Sequence, residues 1–268
     1  MVLPTPCYVM GDAHLGVASP EAERALLAFL RALAPKARSL VIMGDLFDFW
    51  FAWRHAMPRC GFRVLAALAD LHDAGVQVLW IGGNHDCWSG DALTLETGAV
   101  YTLASWRDHI GAWHVMLDHG DGLRTTEDAR YRRLRRVLRH PVAIRAFGWL
   151  PPDIATFIAS SSSDTSRQRQ EGDAGRGLLA VATQALLLPA GPQLVIHGHS
   201  HVPTLQRVGR GWYANAGAWY LDRQYLRIDD ATITRCVWTG STRDEVLDVG
   251  HRETDKKVTE PAPAHLRV

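Results

Sequence analysis

The chain has 268 residues, 47% of them hydrophobic and 21% charged, with a net charge of +1. That length suits one large α/β domain or two small ones, and the composition is that of a soluble globular protein. A charge so near zero supplies no global field to select nucleic acid as a partner, and no apolar run is long enough to span a bilayer.

No signal peptide is expected, because Met1 to Met10 lacks a basic stretch and Pro4 and Pro6 interrupt any apolar one. The four cysteines, Cys7, Cys60, Cys87 and Cys236, are scattered without a CxxC pair, which suits reduced thiols in a cytosolic protein. Ten tryptophans are many for this length. Some belong to a core, and a surplus of amphipathic rings also suits lipid or sugar contact.

Tyr8-Val9-Met10 reads as a short strand running into Gly11-Asp12-Ala13-His14-Leu15. Asp12 and His14 stand two residues apart, so both can face one centre. Standing alone, the pair reads as a turn aspartate beside a surface histidine. Pro20 to Leu33 has helical periodicity in Ala25, Leu26, Phe29, Leu30 and Leu33, with Ser19 as its N-cap. Ser39 to Met43 is the second strand and runs into Gly44-Asp45-Leu46-Phe47-Asp48-Phe49-Trp50. Gly44 allows a sharp turn before Asp45. Asp48 reads equally as a support for a neighbouring ligand or as a helix cap. Phe47, Phe49, Trp50, Phe51 and Trp53 are too dense for one face, so part is core and part lines a groove.

Pro58 to Ala74 reads as a helix closed by Gly75, and Val76 to Ile81 as the third strand. It ends in Gly82-Gly83-Asn84-His85-Asp86, where Asn84 offers a carbonyl oxygen to a metal and His85 a proton to a leaving group. A fourth apolar run, Trp113 to Leu117, precedes Asp118-His119-Gly120-Asp121-Gly122. A fifth, Leu194-Val195-Ile196, precedes His197-Gly198-His199-Ser200-His201, in which His199 and His201 can reach one point.

Five apolar runs therefore end in Asp12 and His14, Asp45, Asn84, His119, and His199 with His201. Ligands of open α/β sheets bind beyond the carboxyl ends of the strands. Mixed Asp, Asn and His without thiolate suits Mn, Fe or Zn rather than a structural zinc. Seven ligands are too many for one ion, and two ions sharing a carboxylate are the usual clamp for hydrolysing a phosphate ester or anhydride.

The blocks GDAH, GDLFDFW, GGNHD, DHGD and HGHSH, between Cys7 and His201, resemble the calcineurin-like metallophosphoesterases. The resemblance implies a four-layer α/β/β/α sandwich of two mixed β-sheets. It also implies one ion on Asp12, His14, Asp45 and His201, and a second on Asp45, Asn84, His119 and His199. Asp45 would bridge, and with His85 would serve the in-line attack of an activated water on phosphorus. Within that family, Gly44 to Trp50, the HGDGL block, Tyr131, Arg139-His140-Pro141 and Gly217-Ala218-Trp219 resemble the UDP-2,3-diacylglucosamine pyrophosphatases of lipid A synthesis. That narrower resemblance implies two Mn ions and a lipid-linked UDP-sugar cleaved to UMP and 2,3-diacylglucosamine 1-phosphate (lipid X). It further implies a place in the cytoplasm, peripheral on the inner membrane. The best-known members carry Arg where this chain has His85, so the chain resembles a divergent GNHD branch. Arg holds a phosphate bidentately but donates no proton.

Leu123 to Leu188 is too long for a structureless loop. Tyr131 to Leu138 has a helical pattern, with Leu134 and Leu138 on one side and Arg130, Arg132, Arg133, Arg135, Arg136 and Arg139 around them. Val142, Ile144, Phe147, Trp149 and Leu150 continue as an apolar helix or helix pair, followed by Ile154, Phe157 and Ile158 and the run Ser160 to Ser163. The expected organisation is a core over 1–122 and 178–240, a helical lid over 123–177 and a polar, disordered tail over 241–268. The lid either packs wholly on the core or covers the site. In the second case Trp50, Tyr131, Arg167 and Arg169 meet substrate, and a basic amphipathic face meets the membrane.

Two other functions compete. A phosphatase or phosphodiesterase of a soluble nucleotide or phosphoprotein keeps the site without an acyl chamber. A non-catalytic binding module of the same fold predicts gaps among the ligands, and the sequence has none.

Overall fold

Alternation along the central strands builds the layers. The computed structural model describes residues 1–159, 173–240 and 244–253. Strands β1 (Cys7–Met10), β2 (Ser39–Ile42) and β3 (Gln77–Ile81) are parallel neighbours. Cys7, Val9, Val41, Leu79 and Ile81 face one core, while Tyr8, Met10, Leu40, Ile42, Val78 and Trp80 face another. Strands buried on both faces read as continuous apolar runs, which is why the sequence marks them so clearly.

The second core holds α1 (Pro20–Leu33) and α2 (Phe62–Asp73) against the outer face of the sheet. Ser19 caps α1, its side chain accepting from the Ala22 N–H at 3.2 Å. On the far side, β6 (Trp113–Asp118) and β7 (Leu194–His197) are parallel neighbours. Val115, Leu117, Leu194 and Ile196 join the first core, between the sheets. Met116 and Val195 point outward onto Leu178, Ala182 and Leu186 of α7 (Arg176–Leu186). Helix, sheet, sheet, helix is therefore the layer order, a four-layer α/β/β/α sandwich.

The remaining strands are β4 (Val100–Thr102), β5 (Trp106–Ile110), β8 (Thr204–Val208), β9 (Gly211–Asn215), β10 (Gln224–Ile228), β11 (Thr232–Val237) and β12 (Glu245–His251). The seven-stranded sheet runs β12-β11-β10-β1-β2-β3-β4 and the five-stranded sheet β5-β6-β7-β9-β8, both mixed. Short helices α3 (Ala92–Thr97) and α8 (Trp219–Asp222) complete the core.

The insert holds α4 (Ala129–Leu138), α5 (Pro141–Phe147) and a helix α6 over 152–159. Neither α4 nor α5 has a buried residue. Among the described residues no helix is long and apolar enough to cross a membrane.

The expectation of a disordered tail from 241 is corrected over Glu245–His251. This segment pairs antiparallel with β11, and its Val246, Leu247 and Val249 interrupt the polar stretch. Residues 254–268, the serine run, Arg167 and Arg169 lie outside the described residues.

Candidate metal centre

The carboxyl ends of β1, β2, β3, β6 and β7 meet at one edge of the sandwich. The turns that follow them are strained. Among the described residues, Asp12, His14, Asp45, His199 and His201 all have positive φ, between +44° and +64°. A side chain in that region costs on the order of 1–2 kcal/mol, and such strain clusters at functional sites. Gly44 (φ +89°) turns the chain ahead of Asp45, where a Cβ would stand 2.4 Å from His119 Nδ1. At Gly83 a Cβ would stand 2.1 Å from Asp45 Oδ1. Gly83→Ala is therefore expected to push Asp45 out of place and lower metal uptake at least tenfold with the fold kept. A metal titration beside a circular dichroism spectrum checks this, and wild-type uptake would contradict it.

Among the described residues three groups have candidate ligand atoms within 4.8 Å of one another, and two of them match the ions that the resemblance implies: Asp12, His14 and His201, and Asp45, His119 and His199. Each contains three of the four residues that the resemblance implies for one ion. His14 Nε2 and His201 Nε2 are 3.2 Å apart, and His201 Nε2 is 3.4 Å from Asp12 Oδ1. The His199 N–H donates to both Asp12 oxygens, at 3.2 and 3.1 Å. In the second cluster His119 Nε2 lies 3.2 Å from Asp45 Oδ2. The His119 Nδ1–H donates to the Met43 carbonyl at 2.6 Å, leaving Nε2 toward the site. Such an outer hydrogen bond fixes the tautomer of a metal-binding histidine.

Asp45 Oδ2, Asn84 Oδ1 and His119 Nε2 are buried without a hydrogen-bond partner. Each such atom costs roughly 1–3 kcal/mol, and an ion would satisfy all three at once. Oxygen and imidazole donors without thiolate also fit a hard or borderline divalent ion. The residues present therefore fit the metal that the fold family implies.

Burial alone would raise the Asp45 carboxyl, but the imidazoles of His119 and His85 outweigh it and hold it well below the usual carboxylate range. His119 is the counterpart. Burial opposes its charge, yet Asp45, Asp12 and Asp121 hold its proton well above the ordinary range. Burial is also outweighed at His201, by the hydrogen bond and charge of Asp12, whereas burial holds His14 and His199 low. A metal must displace the protons on His119 and His201, so metal affinity should rise with pH through and above the ordinary imidazole range, with protons released. Calorimetry in two buffers of different ionisation enthalpy reads this directly, and a pH-independent affinity would contradict it.

His85 is 4% exposed. Its backbone N–H donates to Asp45 Oδ1 at 2.9 Å and its Nδ1–H to the Asp48 carbonyl at 2.7 Å. Nε2 is thereby turned to the site, 3.9 Å from Asp45 Oδ2. Trp50 is not brought there. Its side chain is 1% exposed in the core beneath α2, with the Phe47 ring centroid at 4.4 Å, so the expected substrate contact is corrected to a core residue. The cap reading of Asp48 also fails, because the next helix after it, α2, begins only at Phe62.

Several residues escaped the sequence reading. Asp86 accepts from the N–H groups of Leu46 and Gly83, at 3.0 and 2.7 Å, and so ties the two ligand turns together. Burial, joined by the Asp45 charge, pushes its carboxyl up to about 6. Asn215 donates to the Gly198 carbonyl and to Ser200 Oγ, at 2.9 and 3.0 Å, and clamps the last turn. Tyr220 sets its ring edge-on to His14 and His201. Asp121 receives the Tyr131 hydroxyl at 2.7 Å, with Arg135 and Arg139 at 3.2 and 3.4 Å, and so fastens α4 to the turn after β6. Arg124 bridges Asp128 and Asp173, closing the base of the insert. The sequence signal for Asp86 and Asp121 was their place inside the GNHD and HGDG blocks.

A sandwich with Asp, Asn and His gathered at its strand ends defines a class of metal-dependent phosphoester hydrolase. The calcineurin-like phosphoesterase model matches residues 5–203, and the chain belongs to that family. A UDP-2,3-diacylglucosamine hydrolase of Ralstonia nicotianae is 31% identical over 251 residues, covering 85% of this chain and 91% of that protein. One of the same name from Yersinia pestis is 28% identical, covering 82% and 93%. Among solved structures, a novel archaeal phosphodiesterase is 12% identical, with 90% of this chain and 99% of that chain covered and a TM-score of 0.44.

Proposed function

We propose that this chain hydrolyses the pyrophosphate of UDP-2,3-diacylglucosamine, releasing UMP and lipid X in lipid A synthesis. The reading draws on the two relatives of that name. The observation that carries it is the insert beside the site. Its apolar face does not pack wholly on the core. Leu134, Val137, Val142 and Ile154 stay exposed, and Trp149 is 85% exposed. Phe147 reaches the core aromatics, with ring centroids 5.0 Å from Phe51 and 6.1 Å from Phe49. The arginines of α4 divide in the same way. Arg132, Arg135 and Arg139 turn inward to backbone carbonyls and Asp121, while Arg130, Arg133 and Arg136 are exposed. A basic and apolar outer face suits acyl chains and anionic headgroups.

In this reading residues 123–177 are the lid, and Tyr131, Arg167 and Arg169 are its contacts to substrate. Asp12, His14, Asp45 and His201 hold one ion and Asp45, Asn84, His119 and His199 the other. Two Mn ions are the proposed cofactor, with Fe or Zn of the same ligand type. Bound there, divalent ions supply positive charge for the phosphoryl oxygens and an activated water. Asp45 sets the spacing of the two ligand clusters. His85 Nε2 meets the developing charge on phosphorus or donates to the leaving oxygen. The protein would work at the cytoplasmic face of the inner membrane, attached peripherally through the lid.

Substrate discrimination tests the proposal. Burying about five acyl methylenes is worth about 4 kcal/mol. The kcat/KM for UDP-2,3-diacylglucosamine should then exceed that for UDP-N-acetylglucosamine by about 10³-fold or more. Equal values, or a preference for a soluble nucleotide, would overturn the lipid assignment and leave a phosphodiesterase.

A further inference from the structure

We infer that Asp48 is a positioning residue for one half of the metal centre. Its carboxylate holds the His14 ring so that Nε2 is the atom presented to the ion. The inference rests on the two-ion reading above.

His14 is wholly buried and Asp48 is 4% exposed. Asp48 Oδ1 lies 3.4 Å from His14 Nδ1, on the side of the ring away from the His201 contact. A carboxylate there favours the tautomer with its proton on Nδ1, which leaves the Nε2 lone pair for a cation. The backbone fixes the pairing. The His14 N–H donates to the Asp45 carbonyl at 3.0 Å, Leu15 to Leu46 at 2.9 Å, and Asp48 back to Leu15 at 3.0 Å. The turn carrying Asp48 is thus zipped along the turn carrying His14. Asp48 has a second arm, because its own carbonyl accepts from His85 Nδ1–H at 2.7 Å. Side chain and main chain of one residue orient two imidazoles. The same Oδ1 lies 3.9 Å from His85 Nδ1, but the main-chain bond to His85 survives substitution of the side chain, so an effect on His14 is read from metal uptake.

His14, Asp48 and His85 also stand with ligand atoms within 4.8 Å of one another. An ion among these three would have to use the Nδ1 edge of His14, opposite to the edge that faces Asp12 and His201. The positioning role places the ion on the other edge. It predicts that Asp48 changes affinity in a graded way and is not itself required for binding.

The test is a manganese titration of the metal-free protein. The bound ion is followed by electron paramagnetic resonance, in wild type, Asp48→Asn, Asp48→Ala and His14→Ala. Wild type should take up two ions and show the signal of a coupled pair. Asp48→Ala should keep one ion at wild-type affinity and bind the second 10–100-fold more weakly. Asp48→Asn should fall between, because an amide oxygen can still face Nδ1 at that distance without the charge. His14→Ala should weaken the same ion further. Melting curves of the metal-free variants report folding separately. Two ions bound with wild-type affinity in both Asp48 variants would overturn the inference alone. Loss of the second ion from Asp48→Asn as complete as from His14→Ala would make Asp48 a ligand and overturn it too. A wild type that takes up fewer than two ions would overturn the two-ion reading and this inference with it.

Discussion

Asp45→Asn is expected to abolish hydrolysis, with a loss of at least about 10³-fold in kcat, or roughly 4 kcal/mol of transition-state stabilisation. Asp45 is wholly buried between the two ligand clusters. One oxygen accepts the His85 N–H at 2.9 Å, and the other lies 3.2 Å from His119 Nε2. Asparagine keeps the shape but turns one acceptor into a donor. It either faces the His85 N–H with an amide N–H, or presents that amide to an ion. It also removes the negative charge that offsets two cations. Metal content should fall together with the rate, because the shared carboxylate belongs to both sites. Metal analysis and turnover on one preparation check this. A variant with two ions and a rate within tenfold of wild type would show that Asp45 is not shared.

His85→Ala is expected to behave in the opposite way, with metal retained and rate lost. A positioned acid or charge stabiliser contributes typically 10²–10⁴-fold, so a fall in kcat of about that size is expected. The side chain is not within a normal bond length of either ligand cluster's acceptors, its nearest carboxylate contact being 3.9 Å from Asp45 Oδ2. The His85 N–H to Asp45 is a backbone bond and survives the substitution. Alanine therefore removes the ring without unseating the ligand. Titration of metal uptake beside steady-state kinetics separates the two effects. Loss of an ion would make His85 a ligand, and a kcat within threefold of wild type would remove it from the chemistry.

The sequence exposed the ligand turns because both faces of the central strands are buried. Met10, Ile42, Ile81 and Ile196 end runs with no polar break, and the polar ligands follow at once. The other strands lack that signal. Strand β5 reads Trp-Arg-Asp-His-Ile, with alternate residues exposed, and β4 has only three residues. Strand β12 is an edge strand with one buried residue. The six-residue α3 and four-residue α8 are too short for a 3.6-residue period to register. Trp50 misled because an aromatic run beside a ligand turn looks the same in sequence whether it faces the core or a groove. Backbone direction alone decides it. The role of Asp121 was hidden for a related reason, since its partners Tyr131, Arg135 and Arg139 come from a helix that the motif does not contain.

These clustered residues, loaded with metal, are proposed to cleave a lipid-linked pyrophosphate. The most direct measurement is UMP release from UDP-2,3-diacylglucosamine against manganese bound per chain, starting from chelated protein. No release is expected without metal, and the rate should climb with the second equivalent bound. Protein carrying two equivalents and forming no UMP would contradict it.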